Sequence, residues 1–420
     1  MLITDGSDLE GVTRVQDIKY MRYLRIVLRP IGAWPGHEIG EPIGHWKKYG
    51  ILMIANTCML LLGEVLYVKN SFNRLSFADM VNDYITVFMT IICVARSMTI
   101  YKKQYSEIFK GFITDVHLFN GRKQSAYAMK THLSIHKYSH FFTFYMICLL
   151  LFGDMFFSIV PIIMNIRAGG FKASPPKNLT YELSVNYALP FDYHHNFNGY
   201  IVVSIFNFCE TLLAADYFCI IDSYMGLLMF HLWGHLKIIV HDLDYFPRPR
   251  NDSVAFCGRY TDEELLQVRE KLKSIAQHHN RVLKYIKDVQ ETFGPAIALS
   301  YGFYQVTLCI LLFGSSQQGL QGFIRYAPMT VALLSLLIQM SLTFELVGSM
   351  RDQLINSVYG MPWECMDVSN RKSVLIILQL VQRPLGLKAV GMVEVGCNTM
   401  MTILKTSISY FAMLRTMAVD

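Results

Sequence analysis

The sequence has few charged residues. Asp, Glu, Lys and Arg make up 17% of its 420 residues, whereas hydrophobic residues make up 53%. Soluble domains carry about 25% charged residues, so this deficit excludes an ordinary soluble globular protein and indicates a membrane protein. The net charge of +6 is small, and its distribution along the chain is more informative than its size.

Several chemical signatures are also missing. The sequence contains no Gly-rich phosphate loop, no Ser–His–Asp signature and no metalloprotease helix motif, which argues against an enzyme. The nine cysteines lie mostly in apolar runs and lack the paired spacing of a zinc site or disulfide framework. Two histidine pairs have a spacing of four residues without an evident third ligand: His136 with His140, and His231 with His235. We therefore expect no metal, no cofactor and no nucleic-acid partner.

Long apolar runs predict an all-α bundle of seven transmembrane helices. A helix needs about 20 predominantly apolar residues to cross the hydrocarbon core. The first six predicted spans are 51–68, 77–100, 140–166, 200–240, 293–313 and 328–359. Thr261 and Glu264 have the spacing of a helix-capping box, so an amphipathic helix should lead into the fifth span. We expect Pro295 to kink that span, Pro328 to open the sixth, and helices four to six to extend beyond the bilayer over about 232–292.

The last 50 residues predict a split seventh helix. The run from Ser369 is apolar for only about a dozen residues, too few to span, and Arg383-Pro384 breaks it. The run 396–417 is long enough to cross. Within it, five residues follow helical spacing and share one face: Thr402, Thr406, Ser409, Met413 and Thr416. Such a face suits a water-lined wall with one hydrophobic constriction. Helix packing through small residues is the alternative.

The basic residues predict the orientation. Lys and Arg are concentrated before span one, between spans two and three, and between spans four and five, which places the N-terminus in the cytosol. The loop 167–198 is then extracellular, and its sequon makes Asn178 a glycosylation candidate. Residues 20–27 should form a short amphipathic helix at the membrane surface. We divide the chain into a cytosolic segment (1–48), helices one to six (49–350), an anchor with the short half of helix seven (351–390), and the pore-lining half (391–420).

The outer halves of spans two to four predict a ligand site. An apolar cavity with a few polar groups suits a small volatile or aromatic ligand. The candidates that this placement selects are Phe77, Met80, Val81, Tyr84, Phe88, Phe152, Phe156, Tyr200, Val203 and Asn207. For any one of them, ordinary helix packing is the alternative. Four acidic residues lie in or beside the spans: Asp154, Glu210, Asp216 and Asp222. Such residues have a functional role or, alternatively, pair with polar groups inside the bundle.

The C-terminal motifs resemble those of insect odorant receptors. They comprise Asn370-Arg371-Lys372, Gln382-Arg383-Pro384-Leu385, Ala389, Ile403-Leu404-Lys405-Thr406-Ser407 and Ser409-Tyr410-Phe411. Seven spans, an inside N-terminus and long extensions of helices four to six are similar to that family as well. One departure is Val390, where many members have glycine. The gustatory relatives usually carry a different motif in the last helix, which favours the odorant branch.

The resemblance implies a ligand-gated non-selective cation channel in the plasma membrane of olfactory sensory neurons. Family members form heterotetramers in which a tuning subunit joins a shared odorant co-receptor, and the last helices line the pore. The resemblance places Met413, Thr416 and Met417 at the pore constriction. The co-receptor has a longer insertion between spans four and five, so this chain is similar to a tuning subunit.

Two other classes of membrane protein compete with the channel. A G-protein-coupled receptor would need an outside N-terminus, an acidic–Arg–aromatic triplet after span three and Asn-Pro-x-x-Tyr in span seven. The sequence has His136-Lys137-Tyr138 at the inner end of span three and no proline in the last helix. A secondary transporter would show broken helices in repeated halves, and no such repeat is evident.

Overall fold

The computed structural model describes all residues except 1–3, 5, 43–45, 73–76, 173–174, 177–178, 251–257, 318, 392 and 418–420. Side chains are also not described at 46–47, 77–79, 219–220, 316–317, 319–325, 393, 414 and 417. The described chain is mostly helical, with α1 (Lys19–Leu28), α2 (Trp46–Ser71), α3 (Phe77–Ile100), α4 (Lys103–Gly111), α5 (Leu118–Gly121), α6 (Ala126–Arg167), α7 (Phe197–Asp244), α8 (Asp262–Gln317), α9 (Gly319–Gly348), α10 (Met350–Tyr359), α11 (Val368–Val381) and α12 (Cys397–Met417). Strands β1 (Lys388–Ala389) and β2 (Val393–Glu394) form a short antiparallel hairpin.

Six helices among the described residues are long and apolar enough to cross a membrane. They are α2, α3, α6, α7, α8, and α9 continued by α10, and they contain the first six predicted spans. The second span was predicted with the observed bounds of α3. Helix α12 has the length of a span, with 21 residues, but is not among these six. Its hydroxyl side chains and Lys405 make it more polar than a helix surrounded by lipid.

Helix α8 confirms the predicted extension of the fifth span. It runs for 56 residues without interruption, through Pro295. The capping box at its start is formed, because the backbone amide of Thr261 donates to Glu264 Oε2 at 2.9 Å. The amide of Glu264 donates in turn to Thr261 Oγ1 at 3.3 Å. An amphipathic helix therefore leads directly into the span, as predicted.

The sixth predicted helix is wrong at its start. Helix α9 begins at Gly319, so Pro328 lies inside the helix rather than at its start. Prolines are tolerated within membrane helices because neighbouring groups satisfy the freed backbone carbonyl. Helix α9 ends at Gly348, and α10 continues it from Met350 to the predicted end at Tyr359. The Ser349 hydroxyl donates to the carbonyl of Leu346 at 3.1 Å, a local bond that competes with the regular helical pattern.

The apolar face of helix α1 packs against protein, whereas the prediction placed it against lipid. The helix is amphipathic, but its apolar residues Tyr20, Met21 and Leu24 are completely buried. They belong to the main hydrophobic core, where α1 packs against α6 and α7. The same pattern suits a lipid surface and a protein surface, so periodicity alone could not distinguish them.

The bundle is built around the long helices α6 and α7. Gly226 allows their close approach, because a Cβ atom there would lie 2.3 Å from the ring of Phe142. Deeper in the membrane region, Arg96 of α3 pairs with Asp222 of α7 at 3.1 Å. Arg96 also donates to Ser300 Oγ of α8 at 2.8 Å and to the carbonyl of Phe218. This buried ion pair joins three spans.

The C-terminal region forms the predicted split helix. Asp367 caps α11 by accepting from the amide of Asn370 at 3.2 Å, and α11 ends before Arg383-Pro384. The hairpin then docks on α8, where the amide of Lys388 donates to Gln290 Oε1 at 3.2 Å. Among the described residues of its turn, Val390 and Gly391 have positive φ, at 53° and 71°. The turn positions the start of α12.

Candidate ligand cavity and pore helix

A cavity of about 500 Å³ lies among α3, α6, α7 and α9. It is near the end of the bundle that carries the α6–α7 loop, which we call the outer end. Residues Leu183, Ser184 and Val185 of that loop line the cavity together with the helices. Most of the lining is apolar, and the volume falls in the roughly 300–1,000 Å³ range of small-molecule sites. The site is therefore suited to a compact apolar ligand.

The loop segment 183–185 is bonded to three of the surrounding helices, and we call it the strap. The Ser184 hydroxyl donates to the carbonyl of Phe157 on α6 at 3.0 Å. Asn82 of α3 donates to the carbonyl of Ser184 at 2.9 Å. Asn207 of α7 donates to the carbonyl of Val185 at 2.8 Å. These bonds hold the strap across the cavity as a roof.

Three hydroxyl groups in the lining donate their hydrogen bonds to protein acceptors. Thr86 donates to the carbonyl of Asp83 at 3.0 Å, and Thr90 donates to Glu64 at 3.0 Å. Ser184 donates to α6, as described above. A hydroxyl that has used its single hydrogen keeps only acceptor capacity. The cavity is therefore richer in hydrogen-bond acceptors than in donors at these positions.

The predicted ligand residues fall into three groups. Phe152 and Phe156 line the cavity. Seven others are outside the lining, although they lie on the same helices: Met80, Val81, Tyr84, Phe88, Tyr200, Val203 and Asn207. The seven include Asn207, which holds the strap, and Tyr200, whose ring stacks on Tyr181 at a centroid distance of 4.7 Å. Phe77 forms the third group, because it is helical but its side chain lies outside the described residues. Ligand contact by any of the ten residues remains a prediction.

Several lining residues were missed from the sequence. Helix α9 contributes Tyr326, Met329 and Leu336, and the strap contributes its three residues. One signal was present, because Asn82, Thr86 and Thr90 recur every four residues on α3 and give it a polar face. The strap had no comparable signal, since a polar loop does not reveal where it folds. The glycosylation candidate Asn178 lies outside the described residues.

Helix α12 packs on α8 and α9 through one face and leaves the opposite face uncovered. Ile403 and Ser407 are buried on the packed face. Gln305 of α8 joins the helices, because it accepts from Thr406 Oγ1 at 2.7 Å and donates to Ser407 Oγ at 3.3 Å. The other predicted pore residues that are described, Thr402, Ser409, Met413 and Thr416, are exposed in the single chain.

The exposed hydroxyls of α12 are bonded within the helix. Thr402 donates to the carbonyl of Asn398, Ser409 to that of Lys405, and Thr416 to that of Met413, at 2.7–2.9 Å. Their oxygen atoms therefore present acceptor lone pairs outward, which suits water and cations. Met413 is 50% exposed on the same face. The backbone of Met417 is helical, but its side chain is outside the described residues. The pore assignment remains a prediction.

A buried histidine group lies at the opposite end, outside the membrane spans. His117, in the link between α4 and α5, is 2.6 Å from the Tyr20 hydroxyl through Nε2. Its Nδ1 accepts from the amide of Phe119 at 3.2 Å. Burial holds the pKa of His117 well below its ordinary value, and the nearby His132 and His136 lower that pKa further. His117 is therefore neutral at physiological pH and joins α1 to the bundle.

Comparison with known proteins gives the chain its family. The model described as "7tm Odorant receptor" matches residues 76–408. Odorant receptor 85c of Drosophila melanogaster is 22% identical, over 95% of this chain and 99% of that protein. Odorant receptor 13a of the same species is 19% identical, over 93% of each chain. These matches run through the bundle, so they concern its whole architecture.

Solved structures show the same fold. The structure of the insect olfactory receptor OR5 from Machilis hrabei is similar with a TM-score of 0.75 at 15% identity. It covers 94% of this chain and 97% of OR5. The structure of OR5 in complex with eugenol gives a TM-score of 0.76 at 15% identity, over 95% of this chain and 98% of OR5. The predicted all-α, seven-transmembrane bundle is thus confirmed, with α12 as its last helix. The chain belongs to the odorant receptor family of multi-pass membrane proteins, and it is a chemosensory receptor rather than an enzyme.

Proposed function

We propose that this chain is the tuning subunit of a ligand-gated non-selective cation channel. It binds a small volatile ligand in the cavity below the strap and opens a pore that its α12 lines together with an odorant co-receptor. The observation that carries the proposal is the combination of two features in one chain, an apolar cavity and a transmembrane-length helix with an exposed hydroxyl face. A receptor that signalled only through its inner surface would not need the second feature.

The ligand part is supported by the size and lining of the cavity. Phe152, Phe156 and Leu336 provide apolar surface, and the polar groups are few. The related OR5 was solved with eugenol, itself a small molecule. Binding removes the ligand and the cavity wall from water or lipid. It shifts the equilibrium between the closed and open channel only if these two states bind the ligand with different affinity.

The pore part of the proposal is supported by the exposed face of α12. This face, placed around a shared axis with the last helices of the other subunits, would contribute hydroxyl oxygens to a ring interrupted by Met413 and its equivalents. A narrow ring of apolar side chains blocks ions by excluding water, and widening it admits hydrated cations. Lipid contacts the outer surface of such an assembly, and the complex resides in the plasma membrane of olfactory sensory neurons with its N-terminus in the cytosol.

A direct path joins the cavity to the pore helix. Helix α9 lines the cavity with Tyr326 and Met329. Nearer its other end, Glu345 Oε2 accepts a hydrogen bond from the backbone amide of Cys397, the first residue of α12, at 3.1 Å. A ligand that displaces α9 therefore acts on the start of α12 without any intermediate element.

The proposal is tested by recording odorant-evoked current from cells that express this chain with and without the co-receptor. We expect current only from the pair, with permeability to both Na⁺ and K⁺. Surface labelling of a tagged chain controls for expression. Equal current without the co-receptor would refute the shared pore, whereas responses that need a G protein and carry no direct current would refute the channel assignment.

A further inference from the structure

The carboxyl group of Asp154 stands in the wall of the cavity with one oxygen unsatisfied. Asp154 lies on α6 and is only 5% exposed. Its Oδ1 atom has no hydrogen-bond partner among the described residues. Thr211 of α7 also lines the cavity and contacts the Ser158 hydroxyl. Its own hydroxyl is within reach of the Asp154 carboxyl group. Burying a carboxyl oxygen without a donor is costly, so a group that supplies one is strongly favoured.

No basic side chain among the described lining residues can supply that donor. The lining contains neither Lys, Arg nor His. Arg96, a buried cation of the bundle, stacks against the ring of Phe218 at 4.6 Å. It is already paired with Asp222 at 3.1 Å, so its charge is balanced. The Asp154 carboxyl is therefore left for a partner that enters the cavity.

The other polar groups reinforce this requirement. Thr86, Thr90 and Ser184 donate to protein acceptors and present oxygen lone pairs to the cavity. A ligand with only acceptor groups, such as an ether or an ester, would bring lone pairs against lone pairs. A carboxylate ligand would in addition meet the carboxyl of Asp154. A ligand that donates a hydrogen bond relieves the unsatisfied oxygen.

We infer that the ligand carries an N–H or O–H donor at one end of an apolar skeleton and that Asp154 Oδ1 accepts from it. The inference rests on the proposed function of the cavity as the ligand site, and it names the ligand class. Amines and alcohols share this chemistry. An amine adds charge pairing, whereas an alcohol or phenol gives a single hydrogen bond. Phe152 and Phe156 are placed to cover the apolar part.

Matched ligands test the inference. Benzyl and hexyl skeletons are each supplied as the amine, the alcohol and the methyl ether. Binding to the purified full-length chain is measured from ligand-dependent thermal shifts, and evoked current is measured in cells with the co-receptor. We expect the amine or the alcohol of a skeleton to bind at least tenfold more tightly than its ether.

Substitutions locate the effect. Asp154→Leu should abolish the preference for donors, because it removes the acceptor. Asp154→Asn keeps an acceptor oxygen and the side-chain shape, so it should weaken amines more than alcohols if the ligand is a cation. Glu210→Gln is the matched control, because Glu210 is a half-buried acid on α7 that bonds to Asn56 at 2.9 Å and does not line the cavity. It should leave the preference unchanged.

The outcomes separate this inference from the proposed function. Equal binding of ether and donor forms to the native chain, or an unchanged preference in Asp154→Leu, would overturn the donor requirement while evoked current still supported the channel. A donor preference in binding without any evoked current would sustain the inference and overturn the channel. Absence of binding by all six compounds at millimolar concentration would overturn both. The native-chain comparison needs no variant, so misfolding of Asp154→Leu does not obscure the result.

Discussion

The Glu345 carboxylate and the backbone amide of Cys397 are 3.1 Å apart, with the amide donating. This contact joins the inner part of α9 to the first turn of α12. The N-terminus of a helix carries a partial positive charge, so a carboxylate there is favourable. Helix α9, which lines the cavity, and α12, the proposed pore helix, thus meet through a hydrogen bond to a charged acceptor.

Glu345→Ala should weaken the coupling between ligand and pore. A carboxylate at a helix N-terminus contributes about 0.3–1 kcal/mol, which corresponds to a roughly two- to fivefold change in an equilibrium constant. We expect a smaller maximal evoked current at unchanged ligand binding, measured by patch clamp and thermal shift. Asp352→Ala, which removes an exposed carboxylate on the neighbouring α10, is the control. Loss of binding in Glu345→Ala would mean that the residue acts on the cavity instead.

Met413→Ser should raise the resting current. In the proposed pore this side chain excludes water from the constriction, and a hydroxyl in its place would favour hydration. We expect a several-fold increase in ligand-independent current in the co-expressed channel. Ile408→Ser changes an exposed apolar residue on another face of the same helix and should leave the leak unchanged. If the two variants behave alike, Met413 is not at the constriction.

Acid should destabilise the fold through His117. Its pKa is held well below the ordinary value by burial and then by His132 and His136. An unfolded histidine titrates near 6.5, so below that pH the unfolded chain binds more protons than the folded one. Stability should therefore be fully present above about pH 6.5 and should decrease as the pH falls towards the folded pKa. The measurement is the melting temperature of the purified chain between pH 7.5 and 5.

His117→Asn separates this effect from general acid denaturation. Asparagine can still accept from the amide of Phe119 but does not titrate. We expect a lower melting temperature at pH 7.5 and a shallower dependence on pH. His195→Asn, at an exposed histidine in the α6–α7 loop, should keep the native slope. An identical slope in the native chain and in His117→Asn would remove His117 from the explanation.

Val390→Gly should stabilise the hairpin before α12. Val390 has φ of 53°, a left-handed conformation in which a β-branched side chain is strained by about 1–2 kcal/mol. Glycine adopts this conformation without that strain, and the family resemblance also favours glycine here. We expect a higher melting temperature of the purified chain. Ala389→Gly, in the adjacent strand β1, should give no such gain, and a gain there of equal size would contradict the argument.

Local signals predicted much of the helical architecture. The capping box at Thr261 and the break at Arg383-Pro384 were readable because each depends on residues a few positions apart. Of the five residues that helical spacing places on one face of α12, Thr402, Ser409, Met413 and Thr416 are exposed in the single chain. Thr406 instead bonds to Gln305 of α8, and the pore lining stays a prediction. Pro328 was misplaced, because a preference for the first turn does not exclude a position inside a membrane helix, where neighbouring groups satisfy the freed carbonyl.

Contacts between distant residues were not predictable in this way. Arg96 and Asp222 are 126 positions apart, and their pairing depends on how α3 and α7 face each other. The ligand candidates were chosen by depth along the helices. Depth does not select a face when a helix is apolar on several sides. Tyr326 on α9 was missed for another reason, because the candidates were drawn only from spans two to four.

The strap has a consequence for how odorants arrive. Hydrogen bonds from Asn82 and Asn207 fasten it over the outer end of the cavity. The flank of the cavity, by contrast, includes Phe152 and Val331, which are 60% and 62% exposed on the surface that lipid would cover. The bilayer is then the reservoir from which the cavity fills. Sensitivity to a series of related odorants should follow their oil–water partition coefficients as much as their shape.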